Sequence, residues 1–81
     1  MADPAYAPPA KRSVLIAGHA TSISLEPMFW AALEAIARER GVPVNALVAE
    51  IDAERLHAAH PPNLTSAIRQ WLFEQRKGSS G

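Results

Sequence analysis

Ser13-Val14-Leu15-Ile16-Ala17-Gly18-His19-Ala20-Thr21-Ser22-Ile23-Ser24-Leu25-Glu26-Pro27 is a run of small, β-branched and aliphatic residues, interrupted once by Gly18-His19 and closed by a helix-starting proline. β-branched and aliphatic side chains suit a pleated surface, and Gly-X is the form of a two-residue type II′ turn. The run therefore predicts strands at 13–17 and 20–25 joined as a hairpin through Gly18-His19. Alternation sends Val14, Ile16, Thr21, Ile23 and Leu25 to one face, the core side. Ser13, Leu15, Ala17, Ala20, Ser22 and Ser24 go to the other.

Working outward, Glu26-Pro27 opens a helix, since proline is tolerated in a first turn and a carboxylate is favoured at the positive end of the dipole. Phe29, Leu33, Ile36 and Ala37 recur with helical period as far as Arg40, and Gly41 supplies a left-handed cap. Pro43 can open a second helix with Val44, Leu47, Val48 and Ile51 on one face and Glu50, Asp52, Glu54 and Arg55 mostly off it, ending near Leu56. Pro61-Pro62 then force an extended break. Asn63 offers a side-chain cap to a third helix over 63–77, whose stripe is Leu64, Ile68, Trp71 and Leu72. Before the hairpin, Pro4, Pro8 and Pro9 predict a mobile, disordered arm over 1–10. Gly78-Ser79-Ser80-Gly81 reads as a flexible tail.

The 81 residues suffice for one domain, here 11–77, and not for two. A composition 48% hydrophobic but only 6% aromatic favours close-packed helices over a wide β core. Without cysteine there is neither a disulfide framework nor a thiolate metal site. The first residues do not form a secretion signal and no apolar run could span a bilayer, which places the protein in the cytoplasm. Net charge is zero, distributed as +1 over 1–25, −3 over 26–55 and +2 over 56–81. A generally basic nucleic-acid-binding surface therefore cannot be read from composition. A lone hairpin is marginal in water, and one chain of this size is expected to leave the inner faces of its helices partly exposed. Two copies would close one core.

The order strand, helix, glycine turn, helix over 20–56 resembles the ribbon-helix-helix family. Thr21-Ser22-Ile23-Ser24-Leu25-Glu26-Pro27 looks like its strand-to-helix junction, and Gly41-Val42-Pro43-Val44-Asn45-Ala46-Leu47-Val48 like its turn and second helix. With Lys11-Arg12-Ser13-Val14, Ala17-Gly18-His19 and Asn63-Leu64-Thr65-Ser66-Ala67-Ile68-Arg69, the chain is similar to short bacterial proteins described as ribbon-helix-helix domain-containing. The resemblance spans about 11–72. It implies a mainly α fold with a short β-ribbon, an intertwined homodimer carrying an N-terminal hairpin strand and an extra C-terminal helix. Each chain's strand would pair with its partner's, and the ribbon would enter the major groove of double-stranded DNA.

By that resemblance Ala20, Ser22 and Ser24 meet base edges, Val44 and Asn45 at the start of the second helix bind phosphate, and Lys11 and Arg12 hold the backbone alongside. Ile23, Leu25, Trp30, Leu33, Ile36, Leu47, Val48 and Ile51 form the dimer core. Relatives commonly carry a basic residue where this chain has Ala20, and serine cannot make the bidentate contacts that discriminate bases. Binding is therefore expected to be driven mostly by phosphates. Trp30 and Trp71 lie in helical apolar stripes and read as core or dimer anchors. Arg69 is placed to lock the third helix on Asp52 or Glu50, with a free surface arginine as the alternative.

His57 and His60 have a helical metal spacing, but Pro61 follows at once and no third ligand is evident, so they read as loop histidines. His19 reads as a turn residue. No nucleophile, base and orienting group can be assembled, and no glycine-rich phosphate loop is present, so neither an enzyme nor a cofactor is expected. Two functions fit. One is a DNA-binding transcriptional regulator. The other is a protein-interaction or assembly module using the apolar outer patch of Leu15, Ala17 and Ala20 against a protein partner.

Overall fold

The computed structural model describes residues 7–79. In chain order they form β1 (Ala10–Ile16), β2 (His19–Leu25), α1 (Pro27–Arg40), α2 (Val44–Arg55) and α3 (Leu64–Ser79). β1 and β2 are antiparallel neighbours in a two-stranded sheet, paired from Ala10 opposite Leu25 to Ile16 opposite His19. The inner face carries Val14, Ile16, Ile23 and Leu25, all buried, as alternation demands.

The hairpin turn is not Gly18-His19 but Ala17-Gly18, both at positive φ, 51° and 83°. Two consecutive left-handed residues make a type I′ turn, whose twist matches the flanking strands better than other two-residue loops. His19 is consequently a strand residue opposite Ile16. β1 also starts earlier than Ser13, at Ala10, so the predicted disordered arm gives up its last residue to the sheet; residues 1–6 lie outside the described residues.

Trp30 explains the longer strand, because its indole Nε1–H donates to the Ala10 carbonyl at 2.8 Å and gives that end of β1 a partner on α1. α1 ends at Gly41 (φ 69°), whose N–H reaches the Arg38 carbonyl at 3.1 Å while the Val42 N–H reaches Ala37 at 3.0 Å. Asn63 caps α3 by accepting the Ser66 N–H at 2.8 Å. α3 runs on through Gly78 and Ser79, where a flexible tail was expected; residues 80 and 81 lie outside the described residues.

β1 lies over α2, β2 meets α3, and α3 packs against both α1 and α2. One chain therefore closes its own core. Ile23, Leu25, Trp30, Leu33, Leu47, Val48 and Ile51 are all at most 3% exposed without a second copy, and Ile36 is half-buried. Ala67, Ile68 and Leu72 of α3 cover most of the helices' inner faces, and the expected partial exposure persists at Phe29 and Ile36 of α1, which stay half-buried. Each large side chain that is fully buried contributes about 1.5–3 kcal/mol of transfer free energy.

Candidate nucleic-acid interface

The face of the hairpin turned away from the helices is built from three cross-strand pairs: Lys11 with Ser24, Ser13 with Ser22, and Leu15 with Ala20. All six residues are exposed. Ala20, Ser22 and Ser24 thus stand where the sequence reading put them, on the outward parity of β2. Ser13 and Leu15 share that face from β1, although the resemblance assigned base contacts to β2 alone. Period-two alternation already placed them there.

Lys11 and Arg12, taken together as a backbone clamp, point to opposite faces of β1. Lys11 is the cation of the outer face. Arg12 instead sits over the Trp30 ring, 4.7 Å from its centroid, and its Nη1 bonds Glu34 at 3.1 Å. The guanidinium is thereby committed to α1 and partly neutralised.

At the edge of β1 a cleft of about 390 Å³ brings Arg12, Ser13, Leu15 and Trp30 together with Val44 and Asn45 at the start of α2. Pro43 holds the N-cap position of α2 and no side chain caps it. Its carbonyl accepts from Ala46 and Leu47 at 3.1 and 3.2 Å, but the first N–H groups of a helix have no intrahelical acceptor. Val44 and Asn45 therefore present backbone donors at a positive helix end beside the ribbon. That is the chemistry of an anion contact.

Behind the hairpin, Arg69 pairs with neither Asp52 nor Glu50. Its Nη2 bonds Glu26 at 2.8 Å and its guanidinium lies 5.6 Å from the Phe29 ring. Asp52 is taken by Arg55 at 2.7 Å and Glu50 by Arg40 at 3.5 Å. The hydrogen bond from Arg69 holds the Glu26 carboxyl below its ordinary pKa, helped by Glu26's own backbone. This pair ties α3 to the junction of β2 and α1. Trp30 is buried as an anchor, whereas Trp71 is half-buried with Arg40 stacked 5.4 Å from its ring. His57 and His60 are exposed, and no group of three or more His, Cys, Asp or Glu that could hold a metal occurs among the described residues. Nor is any helix among them long and apolar enough to cross a membrane.

The chain thus places a two-stranded ribbon before a helix, a glycine-capped turn and a second helix. The family model for the ribbon-helix-helix domain matches residues 9–75. The chain belongs to the ribbon-helix-helix family. No curated protein and no solved structure matches it. Ribbon-helix-helix domains are typically non-enzymatic DNA-binding folds and usually form dimers. In this member of the family, hairpin and helices are followed by the extra helix α3.

Proposed function

We propose that this ribbon-helix-helix protein is a cytoplasmic DNA-binding regulator of transcription that lays the outer face of its hairpin in the major groove. The observation that carries this is the exposed six-residue face itself, flanked across the β1 edge by the uncapped N-terminus of α2. A B-DNA major groove about 12 Å wide admits a two-stranded ribbon. Small side chains at Ser13, Ala20, Ser22 and Ser24 let the backbone approach closely, and Val44 and Asn45 then meet the flanking phosphates. Most of the affinity comes from those phosphates and from Lys11, so binding is salt-sensitive and modestly selective.

The protein acts as a homodimer in this proposal, as its family usually does. Since one chain buries most of its own core, the second copy is needed for the shared ribbon rather than for that core. A protein-interaction role for the same scaffold is favoured by one feature, Leu15, which is 55% exposed on the ribbon face beside Ala20.

The deciding experiment is a salt-titrated binding assay on random and genomic duplexes. A DNA-binding ribbon gives affinity that falls steeply and linearly in log salt. Failure to bind any duplex at about 50 mM salt, where non-specific attraction is strong, overturns the regulator reading and directs attention to a protein partner at Leu15.

A further inference from the structure

We infer that the cleft between α1 and α3 is a binding site for a small amphipathic carboxylate, an acyl chain ending in a carboxyl group, whose head is held by Arg69. The inference does not depend on the DNA-binding role proposed above. The cleft has a volume of about 300 Å³, with Phe29, Ile36, Leu72 and Phe73 among its walls. Small-molecule sites run from about 300 Å³ upward and combine an apolar lining with a few placed polar groups. Apart from Arg69 and Arg76, every side chain lining this cleft is apolar, and none is a carboxylate. The cleft between α2 and α3, of similar size, instead mixes Glu54 and Glu74 with Arg55. Only the α1–α3 cleft therefore pairs an apolar floor with charge of a single sign, and that sign selects an anion.

Arg69 is equipped to bind the head. Its Nε and Nη2 both donate to one oxygen of Glu26, Oε1, at 3.3 and 2.8 Å. Nη1 has no protein acceptor among the described residues. A guanidinium carries five N–H donors in a fixed fork, so a second carboxylate can be bound through Nη1 while Glu26 stays in place. The side chain is 38% exposed, which leaves it open to a solute. Its guanidinium also lies 5.6 Å from the Phe29 ring, so the charge stands directly against the apolar wall. Arg76, two turns further along α3, adds positive potential to the same cleft.

The tail has a path as well. From Phe29 to Ile36 the wall extends about 10 Å along α1, the reach of a medium-length acyl chain. Met28 and Phe73, which line the cleft, are 55% and 61% exposed. An acyl chain between them buries apolar surface that otherwise faces water, and the flexible thioether of Met28 can adapt to it.

Isothermal titration of the full chain with sodium octanoate, kept below its micellar concentration, tests this. One octanoate should bind per chain and raise the melting temperature. Octylammonium, with the same tail and the opposite charge, and acetate, with the head alone, should each bind at least about tenfold more weakly. Arg69→Gln should weaken octanoate binding by about 10- to 100-fold. That variant also gives up the Glu26 pair, so a second one leaves the pair alone. Ala32→Phe fills the cleft from a half-buried position and should abolish octanoate binding while circular dichroism stays that of wild type. Equal affinity for octanoate and octylammonium would make the cleft an unselective apolar surface and overturns the proposal. Absence of octanoate binding overturns it too; if Phe73→Ser then lowers the sedimenting mass, the cleft is an interface with a second copy of the chain instead.

Discussion

Trp30 of α1 donates its indole N–H to the carbonyl of Ala10, the first residue of β1, twenty positions earlier in the chain. The same ring carries Arg12 on its face at 4.7 Å. One buried side chain thus fastens the free end of the hairpin to the helix layer and fixes which way β1 faces. Trp30→Phe keeps the ring and loses the donor, leaving the Ala10 carbonyl short of its partner. It should lower stability by about 1–2 kcal/mol in a denaturant titration and speed amide exchange across β1 more than across α2. Equal loss of protection in both elements would show that the bond does not fasten the strand.

At the turn, Ala17 sits at φ 51°, a conformation that costs an L-residue with a Cβ about 1–2 kcal/mol. Type I′ turns favour Asn-Gly, so Ala17→Asn should raise the melting temperature and stabilise the fold by up to about 1 kcal/mol. Ala17→Val, β-branched at a left-handed position, should destabilise it by a similar amount or more. If both variants melt like wild type, the turn does not hold Ala17 in this geometry.

This turn also shows what the sequence made legible and why some of it stayed hidden. A Gly18-His19 loop would set Ala17 opposite Ala20, whereas the actual register sets Leu15 opposite Ala20. The difference is two residues, and side chains alternate with period two, so every face assignment survived the misplaced turn except that of Ala17, which leaves the outer strand face for the turn. Helices α1 and α2 were readable because Pro27, Gly41 and Pro43 mark their ends through backbone geometry alone. The reach of β1 back to Ala10 was not, since its partner, Trp30, is distant in sequence. The pairing of Arg69 was hidden for the same reason, because Glu26 lies 43 residues away and only the packing of α3 brings them together. In the interface, parity located the outer face but could not tell that Arg12 would be drawn off to Trp30 and Glu34.

The Glu26–Arg69 pair predicts a pH dependence with a definite sign. The folded pKa of Glu26 is lowered, chiefly by the Arg69 hydrogen bond, so unfolding releases a carboxylate that binds protons more readily. The contribution is therefore fully present above the ordinary carboxylate pKa and is lost as pH falls through the lowered folded value. Wild type should lose stability across that acidic window faster than Arg69→Gln, whose melting curve should be flatter there. Parallel pH profiles for the two proteins would remove the pair as a source of acid sensitivity.

Core closure within one chain carries its own test. On dilution below the concentration at which the dimer dissociates, the single chain should stay folded and its melting temperature should stop falling, because folding does not require a second copy. Sedimentation at micromolar concentration examines the proposed homodimer separately, since association and folding are then distinct steps. Ile23 is 3% exposed under the helices, so Ile23→Lys places a charge in the core and should abolish the helical signal even in dilute solution. Loss of the helical signal on dilution, in step with dissociation, would mean that the two copies share one core after all.

The charges flanking the ribbon should separate into one that serves DNA and one that serves the fold. Lys11 stands on the outer face, so Lys11→Ala should weaken binding and reduce the log–log salt slope by about one per chain. Arg12 is stacked on Trp30 and paired with Glu34, with side-chain exposures of 47% and 42% in that pair. Such an exposed pair contributes less than about 1 kcal/mol, so Arg12→Ala should cost a little stability and leave the salt slope almost unchanged. The double variant should then behave in DNA titrations like Lys11→Ala alone. Asn45→Asp sets a carboxylate where α2 would meet a phosphate, and should weaken all sequences alike. Ala20→Arg does the opposite, adding a groove-reaching cation opposite Leu15, and should tighten binding and steepen the slope. Should Arg12→Ala flatten the slope as much as Lys11→Ala, both charges reach the DNA, and Arg12 must leave Trp30 when the ribbon enters the groove.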